Sequence, residues 1–192
     1  MKKSIIAASA SAVALAAMPA LGAFADVTDT VQITIKDACS VGGTTATTGA
    51  GKTFTEADAK NGQTYSWDAT EAAGGKLVVS CNDASGWNIK AVGSSEGATK
   101  TSMKPTGSGT AIATGTATSG ATSNWAFKVA GANAVSDYTS FSAVPATATK
   151  VATSSATASE ETYYTGYQVY VSPTQQADTY TGMVTYTVAK GA

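Results

Sequence analysis

KLVVSCNDASGWNIKAV, from Lys76 to Val92, is the stretch whose reading decides the fold. Leu77, Val79 and Cys81 share one parity; Trp87, Ile89 and Ala91 share another. Alternate side chains of a strand point to opposite faces, so each run offers one apolar face. Asn82-Asp83-Ala84-Ser85-Gly86 lies between them, and Asn, Asp and Gly favour turns. The pattern predicts a β-hairpin, with a cysteine on its inner face and a tryptophan opposite.

The same period of two recurs along the chain. Val31, Ile33 and Ile35 alternate with Gln32, Thr34 and Lys36, which predicts a first strand over Asp26 to Val41. Gly42 to Lys52 reads as a loop, and Phe54 to Gly62 could hold one helical turn. Tyr65 and Trp67 predict a short strand. Gly93 to Ser123 reads as a long loop with a weak strand around Ile112. Trp125, Phe127 and Val129 point inward, with Ala126 and Lys128 outward. Tyr138, Phe141 and Val144 form a looser apolar cluster, and Lys150 to Glu161 reads as exposed. A last hairpin is expected from Tyr167, Val169 and Val171 through a turn at Ser172 to Asp178 to Val184, Tyr186 and Val188. Short strands, turns rich in Gly, Ser and Thr, and no long helical period predict an all-β antiparallel sandwich or barrel, with the sandwich as the expected form.

The first 25 residues follow a different rule. Met1-Lys2-Lys3 is basic, Ile5 to Leu21 is apolar, and Ala23-Phe24-Ala25 precedes Asp26. This is the layout of a secretory signal peptide with an A-x-A cleavage site. The expected mature chain is a single domain over residues 26–192, secreted or at the cell surface. It carries ten Lys against thirteen acids, and no Arg or His. A weakly acidic chain of this kind is a poor match for nucleic acid, whose phosphates call for basic patches. No second apolar run is long enough to span a bilayer after cleavage.

Cys39 shares parity with Val31, Ile33 and Ile35; Cys81 shares it with Leu77 and Val79. Both should face the core. Outside the cell two such cysteines are expected to form a disulfide, two buried free thiols being the alternative. A loop of this size corresponds to about 4 kcal/mol in the chain-entropy account.

Several motifs suggest chemistry and fail. Gly93-Ser94-Ser95-Glu96-Gly97 fits G-x-S-x-G, but the elbow needs a following helix and a histidine base. Gly51-Lys52-Thr53 ends like a P-loop, whose first glycine would fall on Ala46. Glu56, Asp58 and Asn61-Gly62 sit one residue off a calcium loop and lack its last Glu, so a solvated loop is the reading. No carboxylate pair stands out. No enzyme, metal or cofactor is expected. Among the late tyrosines, Tyr163, Tyr164 and Tyr170 fall off the inward parity or in a loop. They are the candidates for an exposed patch that contacts partners or stacks on sugars.

Three stretches carry a family resemblance: ITIKDACSV (Ile33 to Val41), VSCNDASGWNIKAVG (Val79 to Gly93), and SNWAFKV (Ser123 to Val129) with DTYTGMVTYTV (Asp178 to Val188). Together they resemble small exported β-rich surface proteins of bacteria. The ending is similar to the WxL cell-wall-binding domain, and to spore-coat-U-like and chaperone–usher pilin subunits. Trp87-Asn88-Ile89 and Trp125-Ala126-Phe127 stand where a WxL domain has Trp-x-Leu. The pilin resemblance implies an incomplete immunoglobulin-like sandwich whose first two strands are bridged, and Cys39 and Cys81 match that spacing. It also implies polymerisation by strand donation, for which Val27 to Ile35 is the candidate donor. A structural or adhesive surface protein is the implied role, with a WxL-like wall- or glycan-binding module as the alternative. Implied partners are a cell-wall polymer, other surface proteins or further copies of the chain.

The exported protein should begin at Asp26, and its unreduced mass should be two hydrogens below that of the reduced chain. Mass spectrometry before and after reduction and alkylation checks both points.

Overall fold

The computed structural model describes residues 38–44, 61–70, 75–95 and 99–191. All of them belong to the second of two units, which begins at Lys36. The expected signal peptide and the alternating Val31, Ile33 and Ile35 lie outside the described residues. So does most of Phe54 to Gly62.

The described elements are β1 (Cys39–Thr44), β2 (Gln63–Trp67), β3 (Gly75–Cys81), β4 (Trp87–Gly93), β5 (Lys104–Pro105), β6 (Ala113–Thr114), β7 (Asn124–Ala130), a single helical turn α1 (Ser136–Thr139), β8 (Thr149–Ser154), β9 (Ala158–Val171), β10 (Tyr180–Thr181) and β11 (Val184–Lys190). The fold is all-β, as the period of two predicts. One sheet runs β1-β3-β9-β7-β6, and β2 adds to β9 end to end with β3. A second sheet runs β11-β4-β8, and β10 pairs with β5 in a small third one. All these pairings are antiparallel except the two-residue contact of β6 with β7.

The apolar parities meet in one core. Val79 and Cys81 from β3, Trp87, Ile89 and Ala91 from β4, Trp125, Phe127 and Val129 from β7, Val151 and Ala152 from β8, and Tyr163 and Val169 from β9 form one buried cluster. Trp87 and Tyr163 pack edge to face with ring centres 5.6 Å apart. Burying a side chain of this class contributes roughly 2–3 kcal/mol. Val184, Tyr186 and Val188 are partly buried against the same cluster.

Both expected hairpins are corrected. β3 and β4 do not pair; they belong to different sheets, and residues 82–86 carry the chain from one to the other. β9 and β11 are likewise in different sheets, joined through 172–183. The physical reason is that an apolar face on each strand is satisfied equally by pairing side by side or by facing across a core. Among the described strands of five or more residues, none pairs with its neighbour in sequence.

The crossing at 82–86 is held from all sides. Asn82 continues the β1–β3 ladder by bonding Ala38, donating its N–H to the Ala38 carbonyl at 3.1 Å and accepting the Ala38 N–H at Oδ1 at 2.6 Å. Gly86 donates to the Asp83 carbonyl at 3.0 Å and accepts from Gly191 at 2.8 Å. Its φ is +85°, and a Cβ there would lie 2.0 Å from the Ser154 carbonyl oxygen. Only glycine suits both constraints.

Three other boundaries differ from expectation. β1 continues through Gly42–Thr44, expected in a loop, because its ladder with β3 uses backbone groups that glycine also carries. Lys150 to Glu161, expected exposed, supplies β8 and the start of β9, and Val151 and Ala152 are fully buried. Ala126, expected outward, is also fully buried. The start of β9 was obscured by a bulge. Val79 faces Glu161 but Cys81 faces Ala158, so β9 has one extra residue there. Glu160 takes φ 61°, and the parity changes so that Ala158 and Tyr163 both point inward.

Gly86→Ala should destabilise the protein by at least about 2 kcal/mol, combining left-handed strain with the clash against Ser154. Chemical denaturation read by tryptophan fluorescence measures it.

Candidate functional site

Cys39 and Cys81 are directly opposite in the β1–β3 ladder and are joined in a disulfide. The inward parity read from the sequence brings them together at the end of both strands, next to the 82–86 crossing.

The tyrosines behave differently from the expected patch. Tyr163 is fully buried, not exposed, because β9 already includes it and it shares the inward parity of Thr165 and Val169, packing against Trp87. Its hydroxyl donates to Glu161 Oε2 at 3.0 Å, and Asn133 Nδ2 donates to the same oxygen at 3.1 Å. Burial pushes the phenol up to about 12, so it stays a donor. Tyr170 is also buried, and its hydroxyl donates to the Gly120 carbonyl at 2.7 Å, which fastens the 116–122 loop over it. Tyr164 is half-buried between Lys76 and Ala130 in the ladder. These three residues do not form one surface. A further pair, Tyr167 and Tyr186, meets with hydroxyls 3.3 Å apart between the two sheets. Burial, then the neighbouring Tyr167, holds the Tyr186 phenol well above the usual range.

The aromatic pair that does reach solvent is Tyr65 with Trp67 on β2, ring centres 4.7 Å apart and edge to face. Tyr65 is 37% exposed. Both share the core-facing parity of β2, at a row the second sheet does not fully cover.

A polar groove of about 450 Å³ is lined by Ser85, Asn133, Lys150, Thr153, Ser154, Ser155 and Gly191. Four separate pieces build it. The 82–86 crossing brings Ser85, the end of β11 brings Gly191, and β8 with its following turn brings Lys150 and Thr153 to Ser155. Asn133 joins because its carbonyl accepts the Thr153 N–H at 3.0 Å, extending the second sheet by one short row. Ser85 is fixed by Asp83: its N–H and Oγ both donate to Oδ1, at 2.8 and 2.6 Å. Lys190 approaches Oδ2 at 3.3 Å. Bonding from Ser85, first through the hydroxyl and then the backbone, holds the Asp83 carboxyl below the ordinary range.

Sequence reasoning missed this groove. Its members are ordinary Ser, Thr, Asn, Gly and Lys scattered over a hundred positions, and they leave no local motif. Gly93-Ser94-Ser95 runs off the end of β4 with no nucleophile geometry; Ser95 Oγ accepts the Met183 N–H at 2.8 Å. Of the residues weighed for calcium, Glu56 and Asp58 lie outside the described ones. Among those described, no group of three His, Cys, Asp or Glu is placed to hold a metal ion. No described helix is long and apolar enough to cross a membrane.

No family model, curated protein or solved structure matches this chain.

Asp83 contributes stability above its unfolded pKa, near 4, and that contribution is lost as pH falls through the lower folded value. Asp83→Asn should therefore lower stability at neutral pH and flatten the loss below about pH 4. Melting temperatures of both proteins between about pH 2 and 7 check the sign.

Proposed function

We propose that this chain is an exported, non-enzymatic surface component, an immunoglobulin-like, pilin-like sandwich with a structural or adhesive role. The covalent tie between Cys39 and Cys81 carries the reading. Such bonds persist in oxidising compartments, and this one fastens the strand at the margin of its sheet, where a load on the chain would first peel it away. The basic, apolar and A-x-A order of residues 1–25 points to the same compartment. With no histidine, the chain has no Ser-His or Cys-His pair to offer. β11 pairs with β4 on one side, and among the described residues no strand pairs with its other side. An edge of that kind suits strand addition from another copy.

The second reading, a WxL-like wall- or glycan-binding module, is favoured by Tyr65, whose exposed ring stands edge to face on the partly buried Trp67 and suits stacking on a sugar.

Fractionation of the source cells separates the two. The first reading expects the protein in sheared filaments or in covalent or detergent-resistant ladders. The second expects monomers that sediment with purified peptidoglycan. Recovery solely as a free monomer in the medium contradicts both.

A further inference from the structure

The outward face of the second sheet has an unusual charge pattern. Lys90 on β4 lies directly opposite Lys150 on β8, with Thr187 of β11 on the other side of Lys90. The rows on either side hold Thr153, the buried Asn88 and Ala189, and Val92 beside Thr185, with a register shift in β8 next to Lys150. Among the described residues, no Asp or Glu stands in these rows. Like charges directly opposite across a ladder destabilise it, yet neither Lys90 nor Lys150 has an ion-pair partner among the described residues. Lys150, though not Lys90, also lines the polar groove with Ser85, Thr153, Ser154, Ser155 and Asn133. Two carboxylates lie beside the trough: Asp83 is held by Ser85 and offset by Lys190, whereas Glu161 is hydrogen-bonded by Tyr163 and Asn133 and keeps its charge.

We propose that this face binds a phosphodiester-linked polyol chain, with Lys90 and Lys150 on its phosphates and the groove on its hydroxyls. Charge complementarity selects an anion. Lysine, a compact ammonium with three donors, binds phosphate as a point charge. The hydroxyl and amide lining selects a polyhydroxylated chain over a bare ion, because such groups exchange hydrogen bonds with hydroxyls at little desolvation cost. The chain's overall acidity makes the local cationic patch a directing feature, since the rest of the surface repels the same ligand. This inference goes beyond the surface-component reading and holds whether or not the chain polymerises.

The test uses the mature protein and oligo(glycerol phosphate), with binding followed by calorimetry. The wild type should bind, and affinity should fall as salt rises from about 0.05 to 0.3 M. Lys90→Gln with Lys150→Gln should weaken binding about tenfold or more, whereas Lys100→Gln with Lys104→Gln, the same change in net charge elsewhere, should change it less than about twofold. Unchanged melting temperatures exclude misfolding of either variant. Absence of wild-type binding overturns the proposal, as does an equal loss in the two double variants. Equal affinity for polygalacturonate or for single-stranded DNA of matched charge overturns the phosphate and polyol assignments respectively. None of these outcomes alters the fractionation result, so the two readings fail separately.

Discussion

The structure depends on the crossing at residues 82–86. A chain leaving β3 has two choices: turn back beside it or step across the core into a second layer. Here it steps across, and the residues at the step accept no substitute geometry. Asn82 is tied to Ala38, Asp83 to Ser85 and Lys190, and Gly86 to Gly191 with a positive φ. The ends of β1, β3, β4, β8 and β11 therefore converge on five residues. The disulfide sits one position before the step and closes β1 onto β3 at the same end. A buried backbone group must find a partner, and at this step the described contacts supply several from distant parts of the chain.

Much of the architecture was legible. Parity placed Cys81, Trp87, Ile89, Trp125, Phe127 and Val129 in the core, and each is buried there. The weak strand near Ile112 exists as a bridge to Met103 and the short β6. Strand pairing was not legible. An apolar face says which way a strand looks but not who lies beside it, and sequential strands pair often enough to make a hairpin the natural expectation. Here β9, fourteen residues long, collects β3 and β2 on one side and β7 on the other. Partners arrive from a hundred residues away in sequence.

The candidate site was less legible than the fold, for a related reason. Tyr163 looked exposed because the alternation is clear only from Tyr167 on; β9 begins at Ala158, and Tyr163 lies on its inward parity with Thr165 and Val169. Lys90 and Lys150 become neighbours only when β4 and β8 pair. A groove assembled from four chain segments leaves no local motif, and its residues are of kinds common in the loops of this chain. The cysteines were the exception, since a covalent pair needs only two inward positions and an oxidising compartment.

The central claim is that β3 and β4 belong to different sheets and that 82–86 is the step between them. Backbone proton–proton contacts measured by nuclear magnetic resonance address it directly. The account predicts cross-strand contacts pairing Leu77 with Tyr163 and Lys90 with Thr187, and none between β3 and β4. Strong cross-strand contacts of Val79 or Leu77 with Trp87, Ile89 or Ala91 would contradict it, because they would mean that the two strands form a hairpin in one sheet.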